Sequence, residues 1–108
     1  MGPTRMTAQT IAILELFLAE PERQRYGLEI ADAVGLKSGV LYPALHRLYE
    51  AGWLEREDEQ VDPREVGRPS RKLYRLTPLG QTCAIARIDR YRKSVRYKSL
   101  WGPEAKTI

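Results

Sequence analysis

Apolar residues recur along the chain at helical spacing in three early stretches, switch to short extended runs in the middle, and return to helical spacing near the end. The first stretch begins at Thr7, with Ile11, Leu14, Phe17 and Leu18 on one side and Ile13 and Leu16 elsewhere, so this helix is covered on more than one side. Pro21 ends it, and Glu22 to Arg25 read as a charged connection. Tyr26 to Val34 predicts a second, short helix with Ile30 and Val34 inward, completed by Leu28 or Tyr26 and closed by Gly35. The third runs from Lys37 to Gly52, with Ser38 as N-cap, Gly52 as C-cap, and Leu41, Leu45 and Leu48 as its buried stripe. Gly39, Pro43, His46, Arg47 and Glu50 fall opposite that stripe, with Tyr42 on its flank. No core requires such a face.

Trp53 to Glu57 and Arg71 to Leu76 read as two strands of an antiparallel hairpin, with Trp53 and Leu76 structural and Leu73 or Tyr74 available to pack. The long tip between them holds Asp62-Pro63, Gly67 and Pro69, of which Gly67 and Pro69 break regular structure. Thr77-Pro78 starts a final helix that can run to about Trp101, where Gly102-Pro103 stops it. Ala84, Ile88, Tyr91 and Val95 form a seam along this helix, while Leu79, Cys83 and Ala86 lie on a different side. A helix of about 24 residues, some 36 Å long, exceeds what so small a body can cover, and a second copy of the chain is the simplest cover. The expected dimer interface is Ile11, Leu14, Leu18, Ala84, Ile88, Tyr91 and Val95. Leu100 and Trp101 close it or cover the helix end.

The predicted fold class is mainly α with a small antiparallel hairpin, in the order of a winged helix-turn-helix followed by a long C-terminal dimerisation helix. The predicted divisions are a loose arm at 1–6, a winged helix-turn-helix at 7–76, the dimerisation helix at 77–101 and a loose tail at 102–108.

Charge sharpens this picture. Residues 1–54 carry five basic and six acidic side chains, residues 55–65 two and six, and residues 66–108 eleven and two. A net charge of +4 concentrated in the last part fits a polyanionic partner, and among partners double-stranded DNA suits a helix face offered to a groove. On that reading Arg47 pairs with guanine, and His46 meets a base edge or phosphate. Lys37, Ser38, Gly39 and the helix-start amides suit phosphate, and Tyr42 and Pro43 complete the face. In the hairpin, Arg68, Arg71 and Lys72 offer positive charge to phosphate or the minor groove, beside a Gly67 that bends the backbone close. The alternative for these three is surface pairing with the acidic stretch Glu55 to Glu65.

The chemistry of an enzyme is missing from the pattern. One His and one Cys give no nucleophile-base pair, phosphate loop or metal-ligand spacing, and the expected cofactor and metal content is none. Cys83 reads as a small buried residue. No apolar run approaches a membrane span and no leader is evident, so a cytoplasmic protein is expected.

Three motifs in order, Tyr26-Gly27-Leu28-Glu29-Ile30, Leu41 to Gly52, and Gly67 to Gly80, give the chain a resemblance to PadR-type transcriptional regulators over about residues 11–80. The single helix after Thr77 resembles the shorter subgroup. The resemblance implies a homodimeric repressor that binds an inverted-repeat operator, with the last helix packed against the partner's first helix. It also implies a small aromatic effector, held between subunits near Ile88, Tyr91 and Val95. Two features depart from the family pattern: the heavy acidic run before the hairpin tip, and Tyr91 where drug-binding relatives have a tryptophan. A winged-helix module that binds protein and not DNA is the competing reading.

Overall fold

The computed structural model describes residues 6–100, with side chains from Met6 to Arg96. Helix α1 (Ala8–Ala19) starts where Thr7 Oγ1 accepts a hydrogen bond from the Thr10 amide, 3.2 Å away. Ile11, Ile13, Leu14 and Phe17 are all buried, so the apolar residues on both sides of this helix are used. A two-residue strand, β1 (Arg25–Tyr26), leads into α2 (Gly27–Val34) and then α3 (Ser38–Glu50). The hairpin is β2 (Leu54–Asp58) and β3 (Lys72–Leu76), with a one-turn helix α4 (Pro63–Val66) in its tip, and α5 (Pro78–Leu100) is the last element of the described residues. The sheet is antiparallel in the order β1-β3-β2.

Several expected boundaries move by one residue. Lys37, in extended conformation, holds the cap position of α3, and Ser38 is already helical without a side-chain cap bond. Ala51 is the C-cap, and Gly52 follows it at φ 80°, a conformation that favours glycine. Gly52 N donates to Tyr49 O and Trp53 N to Leu48 O, and Trp53 turns inward, which ends the helix and seats the next strand together. The strands begin one residue later than Trp53 and Arg71.

Two elements differ from the sequence expectation. Strand β1 is too short to show alternation, yet Arg25 pairs with Tyr74 and Tyr26 with Leu73. Asp62-Pro63 and Gly67 are the cap, first residue and terminator of α4: Asp62 Oδ1 accepts from Arg64 N at 2.9 Å, and Gly67 sits at φ 71°. Gly67, expected to break regular structure, therefore ends a helix.

Leu41, Leu45 and Leu48 are fully buried at the centre, with Ile30, Phe17, Trp53, Tyr74 and Leu76 around them. Tyr74 is the inward member of the Leu73/Tyr74 pair, and Leu28 is 60% exposed, leaving Tyr26 to complete α2. Helix α5 lies against α1, and this packing buries Ala84 and Ile88 beside Ile11 and Leu14. These four residues of the expected dimer seam are therefore spent in the chain's own core. Leu18 and Tyr91 remain half-buried and Val95 is 48% exposed. Every described position from Arg92 to Arg96 is exposed. Of the expected loose arm only Met6 is described, and it packs against the core; residues 1–5, Trp101 and the tail at 102–108 lie outside the described residues.

Two polar knots hold these pieces. Thr77 Oγ1 donates to Gly52 O at 2.6 Å and accepts from Gly80 N at 2.9 Å, while Thr77 N donates to Trp53 O at 3.0 Å. The start of α5 is thereby fixed to the turn after α3. Arg25, nearly fully buried, donates from Nη2 to Leu16 O at 3.3 Å and lies 3.7 Å from Glu20 and 3.8 Å from Glu29. Its Nε has no partner among the described residues. Glu29 in turn accepts from Tyr26 N, so one buried cation joins the end of α1 to the start of α2. Arg25→Ala is expected to destabilise by about 3 kcal/mol, because it opens a void at a nearly fully buried position and removes the buried one of the two arginines that face Glu29. Urea denaturation checks this; a loss under about 0.5 kcal/mol would remove Arg25 from the fold's supports.

Candidate nucleic-acid interface

Helix α3 buries one stripe and leaves the other outward, so Gly39, Tyr42, Pro43, His46, Arg47 and Glu50 are all exposed, as are Lys37 and Ser38 at its start. Val40, 47% exposed, joins them; its apolar side chain gave no signal of exposure in the sequence. The Tyr42 ring lies on the start of α2, over Gly27. A Cβ at Gly27 would stand 2.4 Å from the Tyr42 hydroxyl, so the glycine makes the room in which this ring sits. His46 Nε2 is 3.8 Å from Glu50 Oε1 along the helix. Among the described residues Lys37 and Arg47 engage no carboxylate, and both guanidinium and ammonium are open to a ligand. Pro43 is the sixth residue of α3, beyond the first turn, so the Gly39 carbonyl lacks its usual amide partner four residues on.

The hairpin differs from a loop of free positive charge. Its register sets Glu55 opposite Arg75 and Asp58 opposite Lys72, and both couples form ion pairs, the second at 2.5 Å. At the tip Arg68 donates from both terminal nitrogens to Glu59, at 2.6 and 3.2 Å, and from Nη1 to Pro69 O at 3.2 Å. Glu59 also accepts from Arg71 N at 3.3 Å and donates its own amide to Arg71 O at 2.8 Å. The Arg71 guanidinium stacks 4.0 Å over the Tyr26 ring. Of the two readings of Arg68, Arg71 and Lys72, surface pairing holds for Arg68, with Glu59, and for Lys72, with Asp58, while Arg71 rests on Tyr26. Arg56, unremarked in the sequence, stacks 4.1 Å over Tyr49 and ties β2 to the flank of α3.

Hydrogen bonds from Arg68 hold the Glu59 carboxyl below the usual glutamate range, and the same bonds raise the Arg68 guanidinium. The Arg75 guanidinium is raised by its bond to Glu55. A depressed carboxyl contributes stability that is present above the ordinary glutamate pKa and is lost as pH falls through its lower folded value. Glu59 is accordingly expected to titrate below the ordinary glutamate value in an NMR pH series, and Arg68→Ala to raise it toward that value. Titration of Glu59 at the ordinary value in the parent protein would contradict the pair.

Between α1 and α5 lies a groove of about 420 Å³ lined by Glu15, Leu18, Ala19, Ile85, Ile88, Asp89 and Arg92. It includes Ile88 of the expected effector pocket; Tyr91 and Val95 are not in its lining. Ile85, 60% exposed, was not singled out in the sequence, and Arg92 pairs with Glu15 at the rim. Cys83 is half-buried against the core. Among the described residues no group of His, Cys, Asp and Glu is placed to hold a metal, and no helix is long and apolar enough to cross a membrane.

The model of the transcriptional regulator PadR-like family matches residues 13–84. A PadR family transcription regulator from Clostridium difficile R20291 superposes with a TM-score of 0.69 at 23% identity, over 88% of this chain and 98% of that one. The smu.1704 protein of Streptococcus mutans UA159 gives 0.62 at 25% identity, over 92% of each chain. A MepR–DNA complex from S. aureus gives 0.63 at 18% identity, over 94% of this chain and 77% of that one. No curated protein matches the sequence significantly.

Proposed function

We propose, on the premise that this chain belongs to the PadR-like family of transcriptional regulators, that it is a homodimeric repressor that reads DNA by laying α3 in the major groove. The observation that carries this reading is the outward face of α3. It is rigidly backed by Leu41, Leu45 and Leu48, closed at its end by Gly52, and presents Arg47 and His46 with Lys37 and Ser38 at the helix start. A groove about 12 Å wide admits such a helix, and exposed side chains then meet base edges while the helix start meets phosphate. Residues 7–76 form the reading part in this proposal, and the helix at 77–101 joins two copies. The surface for that joining is Leu18, Ile85, Tyr91 and Val95. A small apolar effector fits the α1/α5 groove near Leu18 and Ile88 and would act on the pairing of the two copies. The molecule works where its promoter is, in the cytoplasm, and the reading assigns it no catalytic role. The fold shared with the MepR–DNA complex supports the docking mode.

Footprinting of the DNA upstream of the protein's own gene tests this, repeated with a panel of planar aromatic compounds. Protection of two symmetric half-sites about one helical turn apart is expected. Protection no better than on random DNA would reject the reading. The alternative, a winged-helix module that binds protein, draws support from the hairpin, where residues 55–75 carry six basic and six acidic side chains and no net charge. It predicts that His46→Ala with Arg47→Ala leaves the partner bound.

A further inference from the structure

Helix α4 has no buried residue, so packing gives no reason for its existence. It is nevertheless built at both ends. Asp62 caps its start, Pro63 O accepts from Gly67 N at 2.9 Å and Arg68 N at 3.2 Å, and the Glu59–Arg68 couple braces the strand ends beneath it. A one-turn helix held this way presents side chains at a fixed place. Of the six cations between residues 55 and 75, Arg68, Lys72 and Arg75 are engaged by carboxylates, and Arg56 and Arg71 lie on tyrosine rings. Of these six, Arg64 on α4 is the one to which the described residues offer neither kind of partner, and it is exposed.

Resting on the DNA-binding reading above, we propose that Arg64 is the hairpin's DNA contact, entering the minor groove beside the site of α3, and that Arg68 is a positioning residue that shapes the tip through Glu59. Exchanging a bidentate carboxylate for a phosphate gains Arg68 little, because one charge-assisted pair replaces another. Arg64 gives up no pair. The tip also carries Asp62, committed to its cap, and the exposed Glu65, which disfavour close approach of the helix itself to phosphate. A long guanidinium reaching past them into a narrow groove of strong negative potential avoids that repulsion.

The test uses fluorescence anisotropy of the full chain with a labelled duplex spanning the DNA upstream of its own gene and a random-sequence duplex of equal length. Arg64→Ala is expected to lower affinity for the upstream duplex about tenfold and to reduce the salt slope by about 1. Arg68→Ala also weakens binding, by loosening the tip. The charge-reversed pair Glu59→Arg with Arg68→Glu restores the ion pair of the brace, though not its bonds to Arg71 N and Pro69 O, and should recover most of the affinity that Arg68→Ala loses. In NMR spectra of the complex the Arg64 side-chain Nε–H signal shifts on DNA addition and that of Arg68 stays in place. Parent-like binding by Arg64→Ala, or a shifted Arg68 signal with no recovery in the reversed pair, would overturn the assignment while leaving DNA binding intact. A parent protein that does not distinguish the two duplexes would overturn the DNA reading and the assignment with it.

Discussion

Gly80→Ala lowers the melting temperature by roughly 15 °C, a loss of about 3 kcal/mol, in the largest stability effect expected of any single methyl group added to this chain. A Cβ at Gly80 would stand 2.0 Å from the carbonyl oxygen of Trp53, 2.8 Å from its carbon and 3.0 Å from its Cα. All three are backbone atoms, so no side chain can swing aside; the first turn of α5 must lift from the turn that follows α3. Lifting it strains the hydrogen bonds of Thr77 to Gly52 and Trp53 as well. Gly39→Ala is the control. Its Cβ meets nothing within 4 Å, it lies inside α3, and alanine there should stabilise by about 0.5–1 kcal/mol. Calorimetric scans of the two variants should diverge in sign. A Gly80→Ala protein that melts within a few degrees of the parent would show that α5 and the turn are not in close contact.

Arg47→Ala carries the largest expected effect on recognition. Its guanidinium is exposed, unpaired among the described residues, and mounted on a helix whose opposite face is core. An arginine bidentate to guanine is worth about 1–3 kcal/mol of discrimination, so the variant should lose about 10- to 100-fold in preference for its operator over a base-substituted copy. Lys37→Ala, at the helix start, should weaken both sequences alike, as phosphate contacts carry no sequence information. Competition assays with the two DNAs separate these patterns. Equal losses on both sequences for Arg47→Ala would assign it to the backbone.

The parts of this structure visible in the sequence are those set by repetition or by a single strong residue. The stripe Leu41, Leu45, Leu48 located α3, and Gly52, Thr77 and Pro78 marked turns whose chemistry is local. What escaped was set by register and distance. Nothing within residues 22–25 distinguishes Arg25 from its charged neighbours; its burial follows from β1 pairing with β3, where Arg25 meets Tyr74 far along the chain. The same holds for Lys72 and Arg75, whose carboxylate partners are fixed by which residues the hairpin sets opposite each other, while Arg68 reaches Glu59 from the tip. Surface pairing was one of two readings of Arg68, Arg71 and Lys72 open to the sequence; Arg68 and Lys72 are paired with carboxylates, and Arg71 lies on a tyrosine ring instead. Asp62-Pro63 and Gly67 were seen, but the signals that start and stop a helix are also those of a turn, and three residues between them show no periodicity. The seam of α5 was located correctly as apolar and misassigned in part. Periodicity says that Ala84 and Ile88 are covered; it does not say whether α1 of the same chain or another molecule covers them.

The junction at Thr77 and Gly80 has a geometric consequence for a paired molecule. One hydroxyl and one missing methyl group clamp the exit of α3, the base of the hairpin and the root of α5 into a single rigid corner. Two such chains joined along their last helices would then hold their α3 helices at a separation and tilt decided inside each chain. The distance between operator half-sites is in that case an angle at Gly80 projected along the length of α5, and a ligand that bends the helix anywhere beyond the corner would change it.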